Sequence, residues 1–402
     1  WAFIPPEPIS VSLMKDLAPE LAQRRERHLY RTRIAIEGPQ DTIVTIDGRS
    51  YLAFCSNDYL GLASHPAVVA ALREGAERFG VGSGAAHLVS GHTAAHHALE
   101  EELAEFVQRP RAVLFSTGYM ANLGIVQALA GRGDRVFEDY ANHASLLDAA
   151  QLSRAKLVRY RHKDSFDLEK RLLQASGGEY LVLTDGIFSM DGDQAPLDEL
   201  SAVASRHGAW LVVDDAHGLG VCGPDGRGSA AEQGLGVEQV PVMMGTLGKA
   251  IGTFGAFVAG DADLVETLIQ QARTYVYTTA PPPAVAWATR RALKLLVEES
   301  WRRERLQALI QRFRDGADDL GLPVSESATP IQPLIIGSPD RALAISEDLR
   351  ASGILITAIR PPTVPEGSAR LRITLSANHR EEDIDRLLEA VFGACQQRGL
   401  SA

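Results

Sequence analysis

The sequence predicts an α/β protein, with a mostly parallel central sheet in a large domain and a smaller C-terminal α+β domain. Three observations carry that expectation. From about residue 100 onward, short apolar runs alternate with helix-like segments, the pattern of a sheet covered by helices on both faces. The chain has 402 residues, enough for one large and one small domain. After the prolines at 281–283 the alternation gives way to a long helical stretch, then to strands and helices in mixed order.

Taken in order, residues 14–37 (MKDLAPELAQRRERHLYRTRIAIE) read as an arginine-rich amphipathic helix. TIVTI and YLAFC, within about 41–55, read as a short hairpin. RAVLF is a strand and ANLGIVQALA a helix; KLVRY is a strand and DLEKRLLQAS a helix. YLVLTDGIF then pairs with the helix PLDELSAVASRHG, and WLVVDD, VMMGT and GAFVAG supply three more strands. One long helical region covers roughly 281–320. Beyond it come a strand IQPLIIG, a helix RALAISEDLRASG, strands ILITAI and ARLRITL, and a helix from about 381. The expected divisions are an N-terminal helix and arm (1–50), a large domain (51–295) and a small domain (296–402).

Composition narrows the function. The 40 basic and 51 acidic side chains give a net charge of 40 − 51 = −11, which argues against a nucleic-acid partner. Cys55, Cys222 and Cys395 are scattered, which suits a reducing cytoplasm and offers no zinc cluster, so no metal is expected. No apolar run reaches the roughly 18 residues that cross a bilayer. WAFIPPEPISVSL has neither a basic nor a long apolar signal region, so a cytoplasmic protein with no membrane partner is expected.

Candidate chemistry begins at MMGTLGKAIGTFGAFVAG, residues 243–260, where Lys249 is the one charged side chain. A lone buried ammonium is costly. A phosphate-binding P-loop needs G-x-x-x-x-G-K-[ST], and Met243 and Ala250 break that pattern. Two readings stay open: a strand-end lysine reaching for water, or a Schiff-base lysine in an apolar site whose glycines let a bulky cofactor approach the backbone. WLVVDDAHG sets Asp214 at the end of a buried strand with His217 three residues on. Such an acid is often a metal ligand or a cap, but it also suits a protonated pyridine nitrogen. FSTGYMAN is a strand-to-helix turn whose Gly118 and Tyr119 amides can hold a phosphate. His143, in YANHASLLD, is a structural histidine or one that stacks on a flat ring. TDGIFSMDGD brings Asp185, Ser189 and Asp191 into a turn.

Together, FCSNDYLGLASHP, GSGAAHLVSGHT, GYMAN, DGIFSMDGD, VDDAHGLG and TLGKA, spread over positions 54–250, resemble the α-oxoamine synthases among the fold-type I pyridoxal-phosphate enzymes. The resemblance runs from about Leu21 to the end. It implies a fold-type I transferase that joins an amino acid to an acyl thioester and releases carbon dioxide, with pyridoxal 5'-phosphate as cofactor. Lys249 would bond the cofactor and act as base, Asp214 would meet the pyridine nitrogen, and His217 the ring oxygen. His143 would stack on the ring and meet substrate, with Ser189 beside the ring. Gly118, Tyr119 and Thr246 would hold the phosphate. Thr278 and Thr279 would reach the phosphate of a second subunit, which implies a homodimer with a shared site. Arg31, Asn57, Arg360 and Thr363 match substrate-binding positions.

AIRPPTVPEGSARLRITLSANH, residues 358–379, resembles the members that use L-alanine and a pimeloyl thioester. Three residues depart from the pattern: Asp185 stands where a Glu is expected, Leu219 replaces a frequent Thr, and Tyr119 replaces a Phe found in some members. The alternatives are a glycine-using synthase, an aminotransferase on the same fold, and a non-catalytic homologue that only binds the cofactor.

Overall fold

The structure, a computed structural model, describes residues 15–399. A short sheet near the N-terminus pairs β1 (Ile43–Ile46) with β2 (Arg49–Ala53) as the expected antiparallel hairpin. The central sheet holds seven strands: β3 (Arg111–Phe115), β4 (Arg135–Asp139), β5 (Lys156–Tyr160), β6 (Tyr180–Asp185), β7 (Trp210–Asp214), β8 (Val242–Thr246) and β9 (Ala256–Gly260). Their spatial order is β3-β9-β8-β7-β6-β4-β5, and β9 alone runs against its neighbours β3 and β8.

Both faces of this sheet are buried, which is why its strands read as continuous apolar runs. Side chains alternate between two cores. Leu181, Leu183 and Val212 join one with Ile125 and Leu146, while Val182, Leu211 and Val213 join the other with Leu168 and Leu200. The register pairs Asp185 with Asp214, and Asp214 with Met244. The carboxyl ends of β6, β7 and β8 are therefore level, and the residues that follow them share one edge, where open α/β sheets bind ligands.

The C-terminal part contains β10 (Ile331–Gly337), β11 (Ile354–Leu355), β12 (Thr357–Ile359) and β13 (Ala369–Thr374). These strands do not form one sheet. The order β10-β13-β12 makes a separate antiparallel sheet, while β11 runs parallel to β2. ILITAI is thus two strands, not one. The chain pairs with Leu52 and Ala53, passes Ile356, and then pairs with Arg370, Leu371 and Arg372.

Two helix expectations also change. The N-terminal helix covers only Ala18–Glu26, buries none of its residues, and ends where His28 takes a φ of 55°. Met14 lies outside the described residues, and 27–42 carries no regular element. The long helical region is two helices, Pro283–Glu298 and Trp301–Asp319. They part at Glu299, whose φ of −110° and ψ of 56° are not helical. The strand β4 went unread because RVFED is rich in charge. Glu138 and Asp139 are nonetheless fully buried in the sheet.

Candidate active site

Lys249 follows β8, and its Nζ lies 2.7 Å from Nε2 of His217. His217 follows β7 and presents its other nitrogen, Nδ1, to the hydroxyl of Tyr59 at 2.7 Å. Among the described residues no carboxylate stands at ion-pair distance from Lys249. Burial outweighs the attraction of Asp214 and Asp185 and pushes its amine down to about 8. Burial, and then the Lys249 charge, also hold His217 well below its ordinary value, so the imidazole is neutral.

Asp214 closes β7 and is nearly sealed from solvent. Its oxygens accept from Asn122 Nδ2 at 2.7 Å and from the Ala216 amide at 3.0 Å. Both donors are neutral, so the buried carboxylate has no cation of its own. A charge in this position calls for a positive partner.

His143 caps the helix Ala144–Ser153. Its Nδ1 is 2.7 Å from the hydroxyl of Ser145, which Asn122 also reaches, at 2.8 Å. The Asp185 carboxylate accepts from the His143 backbone amide at 3.3 Å, while the Asp185 amide donates to Asn142 Oδ1 at 3.0 Å. Asp185 therefore fixes the turn that presents His143. Burial, and then the Asp214 charge, raise its carboxyl well above the carboxylate range.

Gly118 and Tyr119 open the helix Gly118–Leu129, whose cap is the Thr117 hydroxyl accepting from Met120 N at 3.2 Å. Their own amides fall in the first turn, where no helical acceptor exists. A Cβ on Gly118 would come within 3.3 Å of Met244 Cε.

These groups enclose one cavity of about 180 Å³. Of the residues expected from sequence, Gly118, Tyr119, His143, Ser189, Asp214, His217, Thr246 and Lys249 all line it. Asp185, Ser145, Ala216 and Met244 complete the wall. The glycines beside Lys249 have a different task from the one expected. A Cβ on Gly245 would strike the Phe257 ring at 2.6 Å, and one on Gly252, at φ +73°, would strike Ala63 N at 2.5 Å. Both serve packing within the protein, and of the glycines nearest the lysine only Gly248 would hold a Cβ at ordinary contact distances, 3.7 Å from Thr253 O and 3.9 Å from Thr246 Oγ1.

The remaining expected residues lie elsewhere. Arg31 donates to the Thr363 hydroxyl at 3.0 Å. Arg360 turns to the carbonyls of His28 and Tyr30 on the N-terminal arm. These three residues meet, but they do not line the cavity. Thr278 and Thr279 are also outside it, with Thr279 bridged to Ala86. Asn57 stands just behind the wall, its Oδ1 accepting from Tyr59 at 3.2 Å and from Arg372 Nη1 at 3.1 Å.

Arg372 is the functional candidate that sequence reasoning passed over. It is buried on β13, donates from Nε to the Ser189 carbonyl at 2.6 Å, and its charge acts on Lys249 and His217. Among the described residues no carboxylate pairs with it. The signal was present in ARLRITL, where Arg370 and Arg372 occupy one face of an otherwise apolar strand. Arg370 is answered by Asp191 at 2.5 Å, and Arg372 by no acid.

The cavity fits pyridoxal phosphate on its own chemistry. An amine of lowered basicity, a buried carboxylate without a cation, a flat imidazole and a helix N-terminus beside the Thr246 hydroxyl face one space.

Comparison with known proteins agrees. Residues 49–391 match the family described as aminotransferase class I and II. The 8-amino-7-oxononanoate synthase of Nitrosococcus oceani is 62% identical over 92% of this chain and 99% of that protein. A serine palmitoyltransferase from S. paucimobilis, solved with bound PLP–myriocin, superposes with a TM-score of 0.91 at 32% identity, covering 96% of this chain and 98% of the other. The 8-amino-7-oxononanoate synthase of Francisella tularensis gives a TM-score of 0.76 at 33% identity, covering 87% of this chain and 99% of the other.

Proposed function

The chain belongs to the aminotransferase class I and II family and, within it, to the 8-amino-7-oxononanoate synthases, and from that premise we propose how its residues divide the work. The enzyme is a pyridoxal-phosphate-dependent acyltransferase of biotin biosynthesis. Its reaction in this reading condenses L-alanine with a pimeloyl thioester, on CoA or an acyl-carrier protein, and releases carbon dioxide and the free thiol.

Bound pyridoxal phosphate supplies an electron sink for the Cα of the amino acid it holds. The Gly118 and Tyr119 amides and the Thr246 hydroxyl hold its phosphate, and Asp214 holds its ring nitrogen protonated. Asn122 and the Ala216 amide aim the Asp214 carboxylate. His143, steered by Ser145 and Asp185, would stack on the bound ring, with Ser189 beside it. Lys249 anchors the cofactor and then takes the Cα proton, for which an amine near pH 8 suits neutral solution. His217 receives the Lys249 side chain and directs the ring oxygen. Arg372, a buried guanidinium free of acids, grips the alanine carboxylate. Arg31, Thr363 and Arg360 form the outer wall for the acyl chain.

The observation that carries this assignment is the convergence of Lys249, His217, Asp214 and His143 on one cavity. Val81, Val89 and Tyr277 are 83%, 78% and 72% exposed, and the Ala86–Thr279 bridge brings their segments together. That apolar face supports a homodimer in which Thr278 and Thr279 reach the second site. The break at Glu299 supports a division into the arm (1–50), a large domain (51–295) and a small domain (296–402). The three free thiols suit the cytoplasm, and among the described residues no helix is long and apolar enough to cross a membrane.

The test is a condensation assay with pimeloyl-CoA and a pimeloyl acyl-carrier protein, each with L-alanine or glycine. Alanine turnover at least tenfold above glycine is expected. Preference for glycine would make the enzyme a glycine-using synthase, and cofactor binding without turnover would make it a non-catalytic homologue.

A further inference from the structure

Outside the Lys249 cavity the chain gathers five imidazole and carboxylate side chains around the start of the helix Ala94–Phe106: His87, His92, His96, His97 and Glu100. We propose that His92, His97 and Glu100 form a binding site for a divalent transition metal of the zinc class, with His87 orienting the His92 ring.

His96 is not part of it. Its Nδ1 accepts from the Thr93 amide at 3.1 Å and its Nε2 donates to the Pro281 carbonyl at 2.8 Å, so both ring nitrogens are used by the fold. His92, His97 and Glu100 each offer an atom within 4.8 Å of the other two. His92 Nε2 lies 3.9 Å from Glu100 Oε2. Two ligands each about 2 Å from a tetrahedral zinc stand about 3.4 Å apart, so a shift of about half an ångström closes the pair. His97 and Glu100 are three apart on one helix face. The His97 ring is exposed; it stands edge-on to the His92 ring with centroids 5.8 Å apart, and its pairing with Glu101 at 3.5 Å is a surface contact that yields at little cost.

The second observation is His87. It is 8% exposed, its Nε2 has no hydrogen-bond partner, and Tyr275 stacks on its ring at 4.8 Å. Its Nδ1 stands 2.9 Å from Nδ1 of His92. One proton serves that contact. When His92 donates it, His92 Nε2 carries a lone pair that faces the Glu100 carboxylate. When His87 donates instead, His92 Nε2–H faces Glu100; a cation bound between Nε2 and the carboxylate selects the tautomer in which His92 donates. This is the arrangement in which an outer hydrogen bond fixes the tautomer of a metal-binding imidazole. A space of about 450 Å³ beside His87, His92, His97 and Glu100 leaves room for water as a further ligand. Two imidazoles and one carboxylate suit Zn²⁺, and also Co²⁺ or Ni²⁺.

The experiment uses the tag-free, cofactor-loaded enzyme, stripped with a chelator and titrated calorimetrically with Zn²⁺ and, in parallel, with Co²⁺ under visible spectroscopy. One ion per chain is expected, with tetrahedral Co²⁺ bands to the red of the cofactor's band. His97→Ala and Glu100→Gln each weaken binding by at least about tenfold, while His28→Ala, at an exposed and remote histidine, leaves it unchanged. His97 is on the surface, so its variant folds. The proposal is overturned if a double variant, His97→Ala with Glu100→Gln, binds the same number of ions with the same affinity, or if no ion binds.

Discussion

The Tyr59 hydroxyl sets the tautomer of His217. It lies 2.7 Å from His217 Nδ1 and 3.2 Å from Asn57 Oδ1. Arg372 also donates to that Asn57 oxygen, and a guanidinium has no acceptor, so the atom is the amide oxygen. Tyr59 must then donate to Asn57 and accept from His217 Nδ1–H. The lone pair of His217 is left on Nε2, facing Lys249. Tyr59→Phe strands a buried N–H, which costs about 1–3 kcal/mol of stability. It also frees the ring to exchange tautomers. A loss of about tenfold in kcat/KM, about 1.4 kcal/mol, is expected. Steady-state kinetics within twofold of wild type would dismiss the relay.

Lys249 has its lowered basicity only while its amine is free. In cofactor-free protein the neutral fraction reaches half near pH 8, against about 10.4 for an ordinary lysine. The rate of pyridoxal-phosphate uptake should therefore rise with pH and level off above about 8. A rate still climbing at pH 10 would show that burial does not depress this amine.

Much of the fold was legible because a sheet covered on both faces writes itself as apolar runs such as YLVLTD and WLVVD. RVFED escaped because Glu138 and Asp139 are buried despite their charge. The N-terminal helix was overread because its arginines follow a helical period without any apolar side chain to bury. ILITAI was read as one strand because its change of sheet at Ile356 depends on partners 300 residues away in sequence for β11 and close by for β12. The cavity wall was legible where a residue follows a strand end. Arg372 was not, since an arginine inside a strand declares itself only when its partners are known to be carbonyls. The metal-type cluster was missed by looking for cysteines, while His92, His97 and Glu100 lay in GHTAAHHALE.

Acid should loosen the joint between β2 and the C-terminal part through His379. Its Nδ1 accepts from Ser376 N at 2.9 Å, and its Nε2 donates to the Ala53 carbonyl at 3.0 Å. A second proton would face the Ser376 N–H. Burial pushes this histidine down to about 4, against about 6.5 in the unfolded chain. Between those values the unfolded chain binds more protons, so stability falls as pH drops from 6.5 to 4, by roughly 3 kcal/mol in all. His87, at about 3, adds in the same direction. His379→Gln keeps one donor and one acceptor but cannot titrate. Its denaturation midpoint should vary less with pH across this window than that of wild type, and parallel curves would exclude His379 as the group responsible.

Two arginines compete for the amino-acid carboxylate, and their surroundings choose between them. Neither is among the residues lining the Lys249 cavity, but Arg360 donates to the carbonyls of His28 and Tyr30 on the N-terminal arm. Arg372 is buried, lies against Ser189 and Asn57, and acts on Lys249 through its charge. Replacing a guanidinium by an ammonium removes the fork but keeps the charge. Arg372→Lys should raise KM for alanine by about tenfold or more, since charge-assisted pairs contribute about 1.5–3 kcal/mol. Arg360→Lys should leave KM for alanine within about threefold and act instead on the thioester, by loosening the arm that carries Arg31. Initial rates with each substrate varied in turn separate the two. If Arg360→Lys carries the alanine defect and Arg372→Lys does not, the arm closes over the cavity during turnover and the carboxylate belongs to Arg360.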